Sequence, residues 1–330
     1  MIRALVRMAA AVALFLPGML SAQPAPGVAY DEVVRVFVGE APPPPGNFAA
    51  VLAAASEATP VATLLPRRRG GLAGMADAVL GSREAPTSSP GDRVLAEGAG
   101  GFAGLFRALE PGRVERHAFY NGWERVDDPA AQTATIRKCD LDQVIKLDLR
   151  RRSYRVFAAD AEPPDIPARD PGTPGNAAGT VRQTVNALGP KTIEGSEVSG
   201  FEDRSTFALA EATGACREGS LTFTTRTYYS RLPIPRSVCP LTPQRERYPE
   251  QAVNIVASAG CRPRLLAEKA GPLQPAGRLA LYRALQFIPA GAPEAGQAGY
   301  TFLTERGNLR TITAADAGLF AIPPDFTKAP

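Results

Sequence analysis

Histidine is almost missing from this chain: among 330 residues only His117 carries an imidazole. A Ser-His-Asp or Cys-His catalytic arrangement would have to be built on that one side chain. No Gly-x-Ser-x-Gly elbow is present to supply a nucleophile. The cysteines show no Cys-x-x-Cys spacing, so no zinc-ligand pattern can be read either. Gly98-Ala99-Gly100-Gly101 could offer amides to an anion, but no Lys-Ser or Lys-Thr pair follows, and it reads as a flexible helix entry. The acidic groups Asp127-Asp128 and Asp140, Asp142, Asp148 lack the glycine and closing glutamate of a calcium loop, and read as turn residues. A dominant charge is missing too, with 37 basic against 33 acidic residues. The one basic run, Arg67-Arg68-Arg69, lies among Pro and Gly and reads as a solvated loop, not a nucleic-acid patch. The sequence therefore predicts no metal, no cofactor, no nucleic-acid partner and no enzymatic activity.

What is present points first to export. Arg3 and Arg7 precede the apolar run Met8–Leu16, then Pro17-Gly18, then Ser21-Ala22 ahead of Gln23-Pro24. This is the three-part order of a cleavable signal peptide. The apolar run is far short of the about 20 residues that a membrane-spanning helix needs. Cleavage is predicted after Ala22, with no cysteine at the junction to carry a lipid. The expected product is a soluble periplasmic or secreted protein with no membrane span. Loss of Arg3 and Arg7 takes the formal charge from +4 to +2. Four cysteines remain, Cys139, Cys216, Cys239 and Cys261, and an even number in an exported chain favours two disulfides. Three pairings are possible. Cys239 and Cys261 bracket a Pro-rich excursion, and Cys139 and Cys216 both end strand-like runs, so the expected bonds are Cys139–Cys216 and Cys239–Cys261.

Beyond the leader (1–22), residues 23–92 read as an N-terminal extension and 93–330 as the main domain. Asn47 caps a short helix over Phe48–Ala55, and a second helix is expected over Gly101–Leu109, where Phe102, Leu105, Phe106 and Leu109 fall on one face. Arg113–Tyr120 and Trp123–Asp128 flank Asn121-Gly122, the strongest hairpin signal in the chain. Strands are predicted at Thr133–Cys139, Val144–Leu149, Tyr154–Phe157, Val181–Ala187, Lys191–Glu194, Glu197–Phe201, Ser205–Glu211, Leu221–Tyr229, Arg278–Phe287 and Tyr300–Thr304, with a turn at Arg306–Asn308. Residues 159–179 and 232–249 are rich in Pro and Gly and read as loop insertions. The tail Ala314–Phe320 suits one or two helical turns. Some ten strands against two or three short helices predict an α+β fold, with one curved antiparallel sheet covered by short helices.

Within that sheet His117 reads as an ordinary strand residue. Trp123, Phe119 and Tyr120 are expected to pack in the core, where large aromatic rings contribute most. Phe102 and Phe106, with Ile145, Leu147, Phe207, Leu209, Leu221 and Phe223, form the candidate lining of an apolar site between sheet and helix. The same side chains could equally fill the space.

Four phrases carry a family resemblance: Val144–Arg150 running into Ser153–Val156, Gly189–Gly195 with Gly200, and Leu319–Phe326. In order, over roughly residues 93–328, they resemble a group of bacterial envelope proteins whose sheets are similar to the half-open barrel of the lipoprotein carriers LolA and LolB. The resemblance implies an open half-barrel of about ten strands around an apolar cavity, which in the carriers holds acyl chains. The present chain departs from the carriers in its Pro-rich insertions, its four cysteines and its N-terminal extension. Two readings of function follow. One is a non-enzymatic periplasmic protein that binds an apolar small molecule or lipid. The other is a structural or interaction protein of the envelope with a filled core and partner-binding loops.

Overall fold

A computed structural model describes residues 26–38, 42–57, 112–159, 174–214, 216, 218–235, 261–289 and 300–329. The leader, Arg67–Arg69, Gly98–Gly101, the expected helix Gly101–Leu109 with Phe102 and Phe106, Cys239, and most of the two loop insertions lie outside them.

The chain builds one open sheet. Its strands are β1 (Gly27–Val38), β2 (Arg113–Tyr120), β3 (Trp123–Asp128), β4 (Thr133–Lys138), β5 (Gln143–Asp148), β6 (Ser153–Phe157), β7 (Gly175–Ile193), β8 (Ser196–Ala210), β9 (Gly219–Pro233), β10 (Cys261–Ala270), β11 (Arg278–Pro289), β12 (Tyr300–Ile312) and β13 (Thr327–Lys328). They lie in the order β10-β7-β8-β9-β11-β12-β1-β2-β3-β4-β5-β6-β13. Every neighbouring pair is antiparallel except β10 with β7 and β13 with β6, the pairs at the two margins.

The predicted hairpin is present, and Asn121 and Gly122 both adopt positive φ, 53° and 79°, as a type I′ turn demands. From it the predicted strands over 113–157 continue as a meander, β2 to β6, each paired antiparallel with the next. The C-terminal 3-10 helix Ala314–Phe320 packs against this half, with Phe320 buried among Tyr120, Ile136, Ile145 and Leu147. Asp316 secures the start of that helix by accepting from the Thr313 backbone N–H at 2.9 Å.

Four features correct the expected fold. The sheet has thirteen strands of mixed direction in place of about ten antiparallel ones, and no layer of helices covers it among the described residues. Helix is confined there to α1 (Phe48–Glu57) and the 3-10 segments Cys139–Leu141 and Ala314–Phe320. The α+β half-barrel is thus replaced by a nearly all-β sheet. Second, the pieces predicted on either side of Leu188 are one 19-residue strand, β7, which passes Gly189 by a register shift against β8. It starts at Gly175, inside the expected 159–179 loop, because Gly175, Ala177 and Gly179 alternate as buried positions that need no large side chain. Third, the turn expected at Arg306–Asn308 is a bulge within β12, which takes Asn308 to φ 52° and continues to Ile312. Fourth, Cys216 bonds to Cys261, with Cα atoms 4.8 Å apart, and Cys139 is also disulfide-bonded. The expected Cys139–Cys216 and Cys239–Cys261 pairs are therefore both overturned. The cause is β10, a mainly exposed strand with no apolar alternation. It docks parallel to β7 with Cys261 beside Gly175, while the Thr213 N–H donates to Asn176 O at 2.9 Å, so Cys216 and Cys261 meet.

The expected N-terminal extension supplies the centre of the sheet. β1 lies between β12 and β2, and α1 sits on it through Phe48, Val51, Leu52 and Ala55 against Val33 and Val114. Asn47 Oδ1 accepts from the Ala50 N–H at 3.3 Å, as the sequence predicts for its cap. Glu194, at the β7–β8 turn, accepts from the Phe48 N–H at 3.1 Å and ties the long hairpin to the helix start. Gly307 in β12 faces the Phe48 ring so closely that a Cβ there would lie 2.3 Å from Phe48 Cδ1.

Candidate functional site

Of the eight residues expected to line an apolar site, the six among the described residues fall into three packed clusters. Ile145 and Leu147 belong with Phe320; Phe207, Leu221 and Phe223 pack with Val181 and Leu285; Leu209 packs with Ala177 and Cys216. All six are buried. Near the second cluster lies a polar network. Asp203 accepts from Gln183, from Ser205 Oγ at 2.9 Å and from Gln274 Nε2 at 3.2 Å, and Tyr229 Oη donates to Gln274 Oε1 at 3.1 Å. Burial pushes the Tyr229 hydroxyl above the usual tyrosine range. Gln274 belongs to the connection between β10 and β11, so that connection is anchored to the sheet by satisfied hydrogen bonds.

The acidic residues singled out in the sequence take structural roles. Asp128 Oδ1 accepts from the Ala131 N–H at 2.9 Å and Asp148 Oδ1 from the Arg151 N–H at 2.8 Å, both in turns. Asp127 takes Arg125, and Asp142 accepts from the Ala159 N–H at 2.8 Å. Asp140 accepts from the Trp123 indole at 2.9 Å, while the Trp123 ring meets Phe320 at 6.1 Å.

The polar residues that converge in the interior lie instead at the centre of the sheet. The antiparallel register sets Glu32 of β1 directly opposite Glu115 of β2, and Tyr30 opposite His117. Period-two alternation then puts all four on one face. Glu32 also faces Arg306 of β12, whose Nε donates to Glu32 Oε2 at 2.6 Å and whose Nη1 donates to Ala280 O at 2.8 Å. Arg113 approaches Glu115 Oε1 at 3.0 Å. His117 is 2% exposed and stacks on Tyr30 with ring centroids 5.1 Å apart. Its Nε2 lies 3.4 Å from Glu115 Oε2, within ion-pair distance but out of line for a hydrogen bond, and neither ring nitrogen has a hydrogen-bond partner. A buried polar group left unsatisfied costs about 1–3 kcal/mol, so His117 is the polar side chain here whose placement packing alone does not explain. Donor atoms of Glu32, Glu115 and His117 all lie within 4.8 Å of one another.

The preceding residue of β12, Glu305, works on the opposite face. Glu305 pairs with Arg35, and Tyr282 Oη donates to Pro43 O at 2.6 Å. Burial raises the Glu305 carboxyl above the usual carboxylate range despite the opposing pull of Arg35, and burial also raises the Tyr282 hydroxyl. Removing one member of such a buried pair strands the other charge.

Of the central cluster, only His117 stood out in the sequence. Glu115 was findable, because it precedes His117 by two residues on a predicted strand. Glu32 was not, because no strand was expected in residues 23–46. The fold and site together define a disulfide-bonded protein built on one open, mixed sheet whose centre sets buried Glu32 and His117 beside half-buried Glu115 and Arg306. No protein-family model, no curated protein and no solved structure matches the chain.

Proposed function

We propose that the chain is an exported, non-enzymatic interaction protein of the cell envelope, which holds an extended segment of another envelope protein along its β10 edge. The single observation that carries this reading is the exposure of that edge. Among the described residues β10 is the last strand on its side of the sheet, and every residue from Arg264 to Leu273 is exposed, with Leu266 at 72% and Leu273 at 83%. One exposed leucine is ordinary. Leu265 and Leu266 project from opposite faces of β10 and Leu273 follows it in the connection to β11, so both faces of this margin offer apolar side chains beside a strand-addition edge, where backbone bonds supply affinity and side chains specificity. Arg262, Arg264 and Lys269 outnumber Glu268 along the strand, so the complementary segment is apolar with interspersed acidic residues. Those charges also discourage edge-to-edge self-association.

Export is supported by the leader read in residues 1–22 and by the disulfides, which persist in oxidising compartments. No helix among the described residues is long and apolar enough to cross a membrane. The rival reading, an apolar ligand or acyl chain held in the sheet, has less support, because the six described residues of its expected lining are divided among three packed clusters.

A photo-crosslinking side chain placed at Leu266 in the full chain tests the proposal, with Leu141, 51% exposed in the 3-10 segment between β4 and β5, as the control site. The expected result is a discrete protein adduct at 266, absent at 141 and lost in Leu265→Glu/Leu273→Glu. Equal labelling at both sites, or an adduct indifferent to the double substitution, sinks the edge reading. A co-purifying acyl chain found by mass spectrometry would restore the ligand-binding alternative.

A further inference from the structure

We infer that Glu32, Glu115 and His117 form a binding site for a divalent transition-metal ion of the zinc class at the centre of the sheet. The inference is independent of the β10 edge. It rests on two separate observations. One is convergence: the register of β1 against β2 sets the two glutamates across from each other and His117 two residues along the same face, with donor atoms within 4.8 Å. The other is the imidazole itself. Its side chain is wholly buried, it stacks on Tyr30, and both its nitrogens lack hydrogen-bond partners. A neutral imidazole carries a donor and an acceptor nitrogen, and a metal bond to Nε2 satisfies the acceptor.

The surroundings suit a cation. Two carboxylates face one imidazole, and a guanidinium engages one oxygen of each carboxylate: Arg306 on Glu32 Oε2 at 2.6 Å and Arg113 on Glu115 Oε1 at 3.0 Å. Such outer contacts fix the orientation of ligating carboxylates. Glu115 Oε2 faces His117 Nε2 at 3.4 Å, a separation that two ligands of one ion bonded at about 2.0–2.2 Å adopt naturally. Glu32 closes the set by a small side-chain movement. The imidazole favours zinc, copper, iron, cobalt or nickel over magnesium and calcium, which take oxygen ligands. With three protein ligands the ion keeps room for water, and the Tyr30 and Phe119 rings flank the imidazole with centroids at 5.1 and 6.3 Å. The bond joins β1 to β2 where the N-terminal strand enters the sheet.

The lone histidine makes the test direct. Untagged full-length chain with its disulfides intact is treated with chelator and titrated with Zn2+, and the ring nitrogens of its single imidazole are followed by long-range 1H–15N NMR. The expected result is one zinc bound per chain, a shift of one ring-nitrogen resonance, and no shift with Mg2+ at the same concentration. Glu115→Gln, close to isosteric and checked for folding by circular dichroism, should weaken zinc binding by at least about tenfold. Zinc uptake with the ring resonances unmoved places the ion elsewhere and overturns the site. So does a folded Glu115→Gln chain that binds as tightly as the parent. An equal ring shift with Mg2+ overturns the transition-metal assignment. If the variant does not fold, the ring resonances of the parent chain decide alone.

Discussion

Gly307→Ala adds one methyl group at a strand position where alanine is intrinsically preferred by about 0.5–1 kcal/mol, yet it should destabilise the protein. The added Cβ would lie 2.3 Å from Phe48 Cδ1 and 2.6 Å from Cγ, so the ring must move. Phe48 is 2% exposed, opens α1, and has its backbone N–H on Glu194, which leaves the ring little freedom. Overpacking of this kind costs about 1–3 kcal/mol, and the strand preference offsets part of it, giving a net loss of about 1–2 kcal/mol. Phe48→Ala alone should cost about 3–5 kcal/mol through the cavity it opens. The decisive number is their coupling. With the ring gone, Gly307→Ala should become neutral or stabilising by about 0.5 kcal/mol, so the cycle returns about 2 kcal/mol of interaction. Urea unfolding of the four proteins at one pH, followed by the fluorescence of the sole tryptophan, Trp123, measures it. An equal cost for Gly307→Ala in both backgrounds would refute the packing argument, as would stabilisation of the parent by that change.

Replacing Cys216 and Cys261 together by alanine removes a link across a sequence separation of 45, worth about 4 kcal/mol in the chain-entropy treatment. Urea unfolding of the double variant should show that loss, and hydrogen exchange should rise first in β10; unchanged protection of β10 would count against its dependence on the link. Glu305 has a folded-state pKa raised by burial, so its contribution is present at low pH and disappears as pH rises through that value. The stability of the parent relative to Glu305→Gln should therefore fall with rising pH, in the window just above the ordinary glutamate range. A relative stability that rises across that window means that the Arg35 pair outweighs burial.

The parts of the fold that were legible share a local cause. Asn121-Gly122 specifies its hairpin because both residues tolerate positive φ, and Asn47 caps α1 with its own side chain. The meander β2 to β6 follows the alternation of residues 113–157. β10 was illegible because Arg264-Leu265-Leu266-Ala267-Glu268-Lys269 has no period of two: both of its faces are exposed, so no burial writes a pattern. β1 went unread although Val33, Val36 and Phe37 are strand formers, because Asp31, Glu32 and Arg35 interrupt them. Only in the folded protein do Arg116, Arg306 and Glu305 meet those charges.

The site divides in the same way. His117, its strand and its face were set by residues 113–120, and Glu115 lies two positions away on that face. The sequence by itself determined the strand-rich character, the hairpin, the capped helix and the isolation of the one imidazole, since each depends on neighbours within a few residues. Tertiary structure alone decided that residues 27–38 enter the middle of the sheet, that β10 pairs in parallel with β7 and β13 with β6, which cysteines meet, and that Glu32 arrives opposite Glu115. Those outcomes depend on register and direction between segments far apart in the chain, and a backbone ladder forms them without leaving a local mark in the residues it joins.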